Sequence, residues 1–252
     1  ANGVIVITTK KGQIGRPVVN YDFSTTYRRR PRYTDRNINL MNSKQRVEFS
    51  KDLVEKHHIY SSGVNLIGYE GLVANLYNGS INYDEFASEV TKLESMNTDW
   101  FDLLTEDVFS HQHTLSLSGG SEEIRYYSSI GYAIDNDVIK GNHYERYTAA
   151  LNVDANVSPK IVASLNLNAN IGKREYSEES VNPIDYIYNT SRTIPALDEQ
   201  GRYVYYNRQY GYQQTFKYNI LNELDHSYSH QDNSSVMLTA NLRYKATDWL
   251  RS

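Results

Sequence analysis

The chain has 252 residues, of which 39% are hydrophobic and 22% are charged, and its formal net charge is -4. No apolar run approaches the ~18 residues that a membrane-spanning helix needs, so the sequence excludes a helical membrane protein. The absence of Cys excludes disulfides and thiolate metal sites, and the net charge argues against nucleic acid as a partner. Tyr is abundant, with 23 residues against 6 Phe and 2 Trp, and it suits membrane interfaces and contacts with sugars or peptides.

The first 28 residues contain two β-type patterns. Residues 1–12, ANGVIVITTKKG, include an apolar run from Val4 to Thr9. From 17 to 28, apolar and polar residues alternate, which places them on opposite faces of a strand. The apolar face consists of Val19, Tyr21, Phe23 and Tyr27.

The segment 29–110 is too long for a plain loop, so it is expected to carry structure of its own. It follows an arginine cluster at 28–32, which is interpreted either as a solvated loop or as cations near lipid headgroups. Apolar spacing and potential caps predict helices at 42–58 and 83–96. The segment NTDWFDLL at 97–104 then leads into the next strand.

Five further strands are predicted near 111–118, 123–135, 144–157, 161–173 and 234–246. The clearest alternation lies between 148 and 173, where Leu165 and Leu167 share one face and Asn166 and Asn168 share the other. This hairpin alone fits a soluble sandwich and a membrane barrel equally well. Strands of about a dozen residues favour the barrel, in which one face contacts lipid and the polar face lines the lumen. The short turns all fall at one end of the predicted strands, and the long connections 29–110 and 174–233 fall at the other end, which favours the barrel further.

Four motifs carry a resemblance to a known family. They are ANGVIVITTKKG at 1–12, NTDW at 97–100, LSLSGGSEEIRYYSSIGY at 115–132 and NPIDYIYNTSRTIP at 182–195. Each resembles the corresponding segment of the SusC/RagA-like TonB-dependent outer-membrane transporters. The resemblance covers most of the chain and is weakest over 200–233.

This resemblance implies an all-β fold: a transmembrane antiparallel β-barrel, with about six strands of a 22-stranded barrel present and helical insertions in extracellular loops. Residues 1–12 would be the last strand of the plug domain, and 13–252 the N-terminal portion of the barrel. The chain would therefore be a fragment of a longer protein. The segment that contacts TonB would lie outside it.

The function implied by the family is uptake of oligosaccharides across the outer membrane, together with a SusD-like surface lipoprotein and in contact with outer-membrane lipid. The same type of importer taking up peptides is the first alternative. A soluble or surface glycan-binding β-protein is the alternative of another class. A channel without energy coupling is a third alternative, and a plug strand at 1–12 argues against it.

No pattern in the chain indicates an enzyme, a cofactor or a metal site. The pairs His57-His58, His111/His113 and His226/His230 lack a supporting carboxylate cluster. The insertion 176–231 is rich in Tyr, which stacks on sugar faces, and in Arg, Asn and Gln, which bind hydroxyls or amides. The candidate ligand-binding residues are Arg192, Tyr203, Tyr205, Tyr206, Arg208, Tyr210 and Tyr212. The alternative is that this insertion simply packs on itself.

Overall fold

Eight strands and six helices follow one another in the part of the chain that the computed structural model describes, which is residues 10–61, 63–178, 180–210 and 214–246. In chain order they are β1 (Gly15–Arg28), α1 (Ser43–Glu55), α2 (Gly68–Tyr77), α3 (Tyr83–Met96), α4 (Trp100–Leu104), β2 (Val108–Gly120), β3 (Ile124–Asn136), β4 (His143–Ser158), β5 (Ile161–Ser177), α5 (Pro183–Asn189), β6 (Tyr206–Tyr210), β7 (Gln214–Tyr218), α6 (Ile220–His226) and β8 (Tyr228–Tyr244).

Six of the strands form one antiparallel sheet in the order β1-β2-β3-β4-β5-β8. The expectation of an antiparallel β fold is confirmed. Among the described residues the sheet is open, with β1 and β8 at its edges. The predicted plug run Val4–Thr9 lies outside the described residues.

The strand bounds differ from the sequence prediction mainly at the ends. The last strand begins at Tyr228 instead of 234, and β5 continues to Ser177 instead of 173. These extensions pair with each other, as Glu175 with His230 and Ser177 with Tyr228. Both extensions are polar on both faces, so hydrophobic alternation did not reveal them. The two long connections are therefore 29–107 and 178–227.

The two faces of the sheet have different chemistry. One face carries a row of aromatic residues in cross-strand register, Phe23 with His113, His113 with Tyr132, and Tyr132 with Tyr147. The ring centroids of Phe23 and His113 lie 4.9 Å apart, as do those of Tyr132 and Tyr147. The opposite face of β4 and β5 is polar, with Asn152 paired to Asn166. The expected alternation is thus realised in the sheet.

Both long connections leave the sheet at the same end, because β1 and β5 are parallel to each other and end there. The first connection contains α1 to α4. The predicted helices at 42–58 and 83–96 correspond to α1 and α3, whereas α2 was not predicted, since Gly68 and Gly71 weaken its helical signal. The second contains α5, α6 and the hairpin β6–β7. The first strand of that hairpin, β6, spans Tyr206–Tyr210.

The hydrophobic core lies between these two connections. Its fully buried members include Trp100, Phe101 and Leu104 of α4, Ile187 of α5 and Ile220 of α6. The core therefore joins the first connection to the second. No helix in the described residues is long and apolar enough to cross a membrane.

Candidate functional site

The two connections are fastened together at one short segment, Asn97 to Trp100. Thr98 donates its backbone N–H to the Arg192 carbonyl over 3.0 Å, and its hydroxyl to the Ile194 carbonyl over 2.7 Å. The Trp100 indole N–H donates to the Ser191 carbonyl over 3.2 Å. Each bond crosses from the first connection to the second, so the segment fixes their relative position.

Asn97 extends this junction to the helices of the first connection. Its backbone adopts φ 48°, in the left-handed region that Asn tolerates, and it ends α3 there. Its N–H donates to the Ser43 hydroxyl and its side-chain oxygen accepts from the Ser43 N–H, both over 3.0 Å. The start of α1 is thereby tied to the end of α3 and to the second connection.

Next to this junction lies a cavity of about 490 Å³. It is bounded by the start of the first connection, by α1, by the first turn of α2, by 185–194 and by β6. A volume of this size is typical of small-molecule sites. The aromatic side chains in its wall are Tyr33, Tyr69, Tyr186, Tyr188 and Tyr206.

One ion pair in the cavity wall is internal to the first connection. The Arg46 guanidinium donates to the buried Glu70 carboxylate over 3.1 Å and also to the Ser50 hydroxyl. The Glu70 side chain is 7% exposed, so its charge needs this partner. The pair holds α2 against α1 beside the cavity.

Arg192 combines a structural role with its place at the cavity. Its Nε and one terminal nitrogen donate to the Thr98 and Asn97 carbonyls, each over 3.0 Å. Its guanidinium carbon lies 4.0 Å from the centre of the Tyr33 ring. The predicted ligand residue therefore also clamps the junction.

Two tyrosine hydroxyls at the cavity are buried without a hydrogen-bonding partner of ordinary geometry among the described residues, those of Tyr33 and Tyr186. Burial raises the pKa of Tyr33 to about 12, although the charge of Arg192 opposes the shift. Burial, and then the neighbouring Tyr206 hydroxyl, raise the pKa of Tyr186. Both phenols stay protonated near neutral pH and keep a proton to donate.

The structure brings only some of the predicted ligand residues together. Arg192, Tyr206 and Arg208 lie in the cavity wall. Tyr203 donates its hydroxyl to Asp225, and Tyr205 is 43% exposed. Neither of these two is part of the cavity wall. Tyr210 lies in β6, and Tyr212 lies outside the described residues.

Several cavity residues were missed by sequence reasoning. Tyr33, Arg46 and Glu70 belong to the first connection, and no sequence pattern links them to the Tyr-rich insertion. Tyr186 and Tyr188 lie in the motif NPIDYIYNTSRTIP, where their two-residue spacing beside Asp185 was the available signal. Asn182 caps α5 there and Pro183 is its first residue, a position at which the missing N–H of proline costs the helix no hydrogen bond.

The arginine cluster 28–32 is a second basic region at the same end of the sheet. Four of its arginines each pair with a different aspartate: Arg28 with Asp135, Arg29 with Asp35, Arg30 with Asp102 and Arg32 with Asp107. Asp107 also accepts from the Arg30 N–H over 2.8 Å and from the Tyr27 hydroxyl over 3.1 Å. Hydrogen bonds, chiefly from that Arg30 N–H, hold the pKa of Asp107 below its ordinary value. The cluster thus joins the end of β1 to α4, β2 and β3.

Comparison with known proteins adds independent evidence. The chain is 29% identical over 181 residues to the TonB-dependent receptor SusC of Bacteroides thetaiotaomicron, a match that covers 71% of the chain and 14% of SusC. The chain resembles the SusC-like TonB-dependent receptors. The TonB-dependent receptor P3 of Formosa agariphila is 26% identical over 167 residues, covering 66% of the chain and 13% of that protein. No family model matches the chain.

Comparison with solved structures supports the same SusC/RagA-like resemblance at the level of the fold. The RagAB peptide importer in its closed-closed state matches with a TM-score of 0.61 and 19% identity, covering 95% of the chain and 27% of the matched chain. A structure of the RagAB peptide transporter matches with a TM-score of 0.60, also at 19% identity. This match covers 95% of the chain and 27% of the matched chain. The resemblance predicted from the motifs is confirmed, and the chain spans a small part of each protein that it matches. The matched proteins are named as receptors and transporters, which agrees with a function other than catalysis.

Proposed function

We propose that the chain is part of the wall and external loops of a TonB-dependent outer-membrane importer that takes up oligosaccharides together with a SusD-like surface lipoprotein. The six-stranded sheet would be part of a closed, 22-stranded barrel. Residues 1–12 would end the plug, and residues 13–252 would begin the barrel. The observation that carries this proposal is the cavity that the two long connections enclose at one end of the sheet.

The two faces of the sheet support a place in a membrane wall. The face with the row from Phe23 to Tyr147 would contact outer-membrane lipid, with the aromatic rings near the interface. The opposite face, with Asn152 and Asn166, would line the interior. A Lys10 carbonyl accepts from the Asn152 side-chain N–H over 2.8 Å, so the segment that precedes β1 contacts this polar face.

The ligand role rests on the Tyr-rich second connection. Tyr206 and Arg208 contribute to the cavity wall, and Tyr203 and Tyr205 lie just before them in the chain. Tyr rings stack on sugar faces, while guanidinium and amide groups bind hydroxyls. Arg192, Tyr203, Tyr205, Tyr206, Arg208, Tyr210 and Tyr212 are proposed to contact substrate, with Arg192 also holding the junction.

Peptide import is a second candidate, because solved structures that match the fold are described as a peptide importer and a peptide transporter. The machinery would be the same, including the lipoprotein and TonB. Cells that express the full-length protein distinguish the two substrates when they are given labelled oligosaccharides or labelled peptides. The imported substrate class is the one whose uptake stops when the proton gradient is dissipated.

Deletion of residues 198–214 tests the loop itself. The deletion removes β6 with Tyr206 and Arg208, and we expect uptake to fall sharply while the protein remains in the outer membrane. Alanine substitution of the exposed turn residues Glu199 and Gln200 is the control, with uptake expected to be unchanged. Unaltered uptake in the deletion variant would remove this loop from the ligand site.

A further inference from the structure

The charges around the cavity do not balance. Three guanidinium groups, those of Arg46, Arg192 and Arg208, belong to its wall, against the carboxylates of Glu70 and Asp185. Arg46 and Glu70 are paired with each other. Asp185 accepts from the Asn189 side-chain N–H over 2.9 Å and makes no ion pair among the described residues. The formal sum is one positive charge.

Arg192 and Arg208 have no carboxylate partner in the described parts of the chain. Arg192 uses its Nε and one terminal nitrogen on backbone carbonyls, which leaves further N–H groups of the fork. Arg208 is exposed, and its guanidinium carbon lies 4.4 Å from the centre of the Tyr218 ring. Arg208 also hydrogen-bonds the Tyr218 side chain, and the remaining N–H groups of its fork suit a bidentate acceptor.

Two further donors belong to the same wall. The first turn of α2 contributes Gly68 and Tyr69; its N-cap, Ile67, makes no side-chain capping hydrogen bond, and the paired carboxylate of Glu70 lies in the same turn. Such an end carries partial positive charge and favours anions. Tyr186 is only 6% exposed, and among the described residues its hydroxyl has no hydrogen-bonding partner of ordinary geometry.

We propose that this cavity binds the carboxylate of an acidic sugar unit, so that the imported oligosaccharide is a carboxylate-bearing one. The inference rests on the proposed import function and names its substrate class. A planar carboxylate matches the arginine fork, and a single negative charge balances the excess of one positive charge. The rings of Tyr33, Tyr188 and Tyr206 in the same wall suit the body of a sugar.

The test is calorimetric titration of the full-length protein in detergent with two acidic trisaccharides, one built of galacturonate and one containing glucuronate, and with their neutral counterparts. Arg208→Gln removes the exposed guanidinium without touching the junction at Asn97. We expect it to weaken binding of an acidic trisaccharide about 10- to 100-fold, as loss of a charged hydrogen bond does. Binding of the neutral trisaccharides should weaken much less, because a sugar hydroxyl forms a weaker hydrogen bond with a guanidinium than a carboxylate does.

Arg202→Gln is the matched control. Arg202 lies in the same connection and its side chain is 76% exposed, but it is paired with Asp198 and is not part of the cavity wall. We expect this variant to bind all probes as the unchanged protein does. Equal affinity of the Arg208 and Arg202 variants for both acidic trisaccharides would overturn the proposal.

The outcomes separate this inference from the importer proposal. If the protein binds and imports neutral and acidic trisaccharides equally well, the carboxylate site is wrong and import stands. If an acidic trisaccharide binds through Arg208 but is never taken up, the site stands and import fails. If only acidic peptides bind through Arg208, the glycan assignment is overturned.

Discussion

Two arginine-rich regions lie at the same end of the sheet, and they differ in what surrounds the guanidinium groups. In the cluster 28–32, four arginines each have an aspartate of their own. At the cavity, Arg192 and Arg208 have none among the described residues. The density of arginine in the sequence therefore does not by itself indicate a binding site, whereas guanidinium groups without a carboxylate partner in the described residues support the proposed one.

The difference follows from where the aspartates lie in the chain. Asp35, Asp102, Asp107 and Asp135 come from four separate segments and converge on the end of β1. The cluster therefore acts as a fastening between β1 and its neighbours, and the interpretation as a lipid-binding patch is not needed to explain it. Arg192 and Arg208 at the cavity, which have no carboxylate partner among the described residues, would be available to an external anion.

The largest effect is expected from Trp100→Ala, which should loosen the junction beside the cavity. Trp100 is 1% exposed, and removing such a side chain costs about 3–5 kcal/mol. We expect hydrogen exchange to accelerate at the Thr98 amide, whose bond to the Arg192 carbonyl crosses the junction. Phe49→Ala, at a residue that is 45% exposed, is the control. Unchanged exchange at the Thr98 amide would show that Trp100 does not hold the junction.

Arg192→Lys tests the junction more finely. A lysine keeps the charge but loses the two-point contact with the Asn97 and Thr98 carbonyls and the stacking on Tyr33, at a cost of about 1–3 kcal/mol. We expect faster exchange of the Thr98 amide and weaker binding of acidic trisaccharides. Arg202→Lys should alter neither. If the Arg192 variant behaves like that control, Arg192 is neither a clamp nor a ligand residue.

Asp107→Asn should make the cluster resemble the cavity. It removes the carboxylate that Arg32 binds over 3.0 Å, while the other three pairs of the cluster remain. We expect a second, weak and salt-sensitive site for acidic trisaccharides in titration, with only a slight loss of thermal stability because the pair is exposed. Asp52→Asn, in an exposed pair with Lys56 at 4.0 Å, is the control. Absence of the second site would mean that unpaired arginine alone does not create anion binding here.

The smallest effect is a pH dependence confined to the cluster. The hydrogen bond from Arg29 lowers the pKa of Asp35, and that from the Arg30 N–H lowers the pKa of Asp107, from the ordinary value of 3.8. A lowered folded-state pKa gives stabilisation that is present above the ordinary value and lost as the pH falls through the lowered one. We therefore expect the midpoint temperature of unfolding, followed by tryptophan fluorescence, to fall more steeply below pH 3.8 in the unchanged protein than in a variant that carries both Asp35→Asn and Asp107→Asn. If the midpoint temperatures of the two proteins fall in parallel as the pH is lowered, these two carboxylates do not stabilise the cluster.

The sheet could be predicted from sequence because one face of each strand is apolar over most of its length. Where both faces are polar, as at 228–233 of β8, the alternation disappears and only pairing with β5 reveals the strand. Helix α2 was missed for a related reason, since two glycines weaken its local signal and packing on α1 and α3 compensates.

The cavity could be predicted only in part. Arg192, Tyr206 and Arg208 were found because they lie in a segment rich in Tyr and Arg. Tyr33 and Arg46 were not, since they reach the cavity through the junction at Asn97, and sequence patterns do not show contacts between distant segments. The fastening role of Arg192 was hidden for the same reason.

The most direct test of the account is a structure of the full-length protein with a bound acidic trisaccharide. The account predicts a carboxylate about 2.7–2.9 Å from the Arg208 guanidinium, inside the cavity between the two long connections. It also predicts that the six strands continue into a closed barrel around a plug. A trisaccharide bound elsewhere, with the cavity holding no part of it, would contradict the assignment of this cavity as the ligand site.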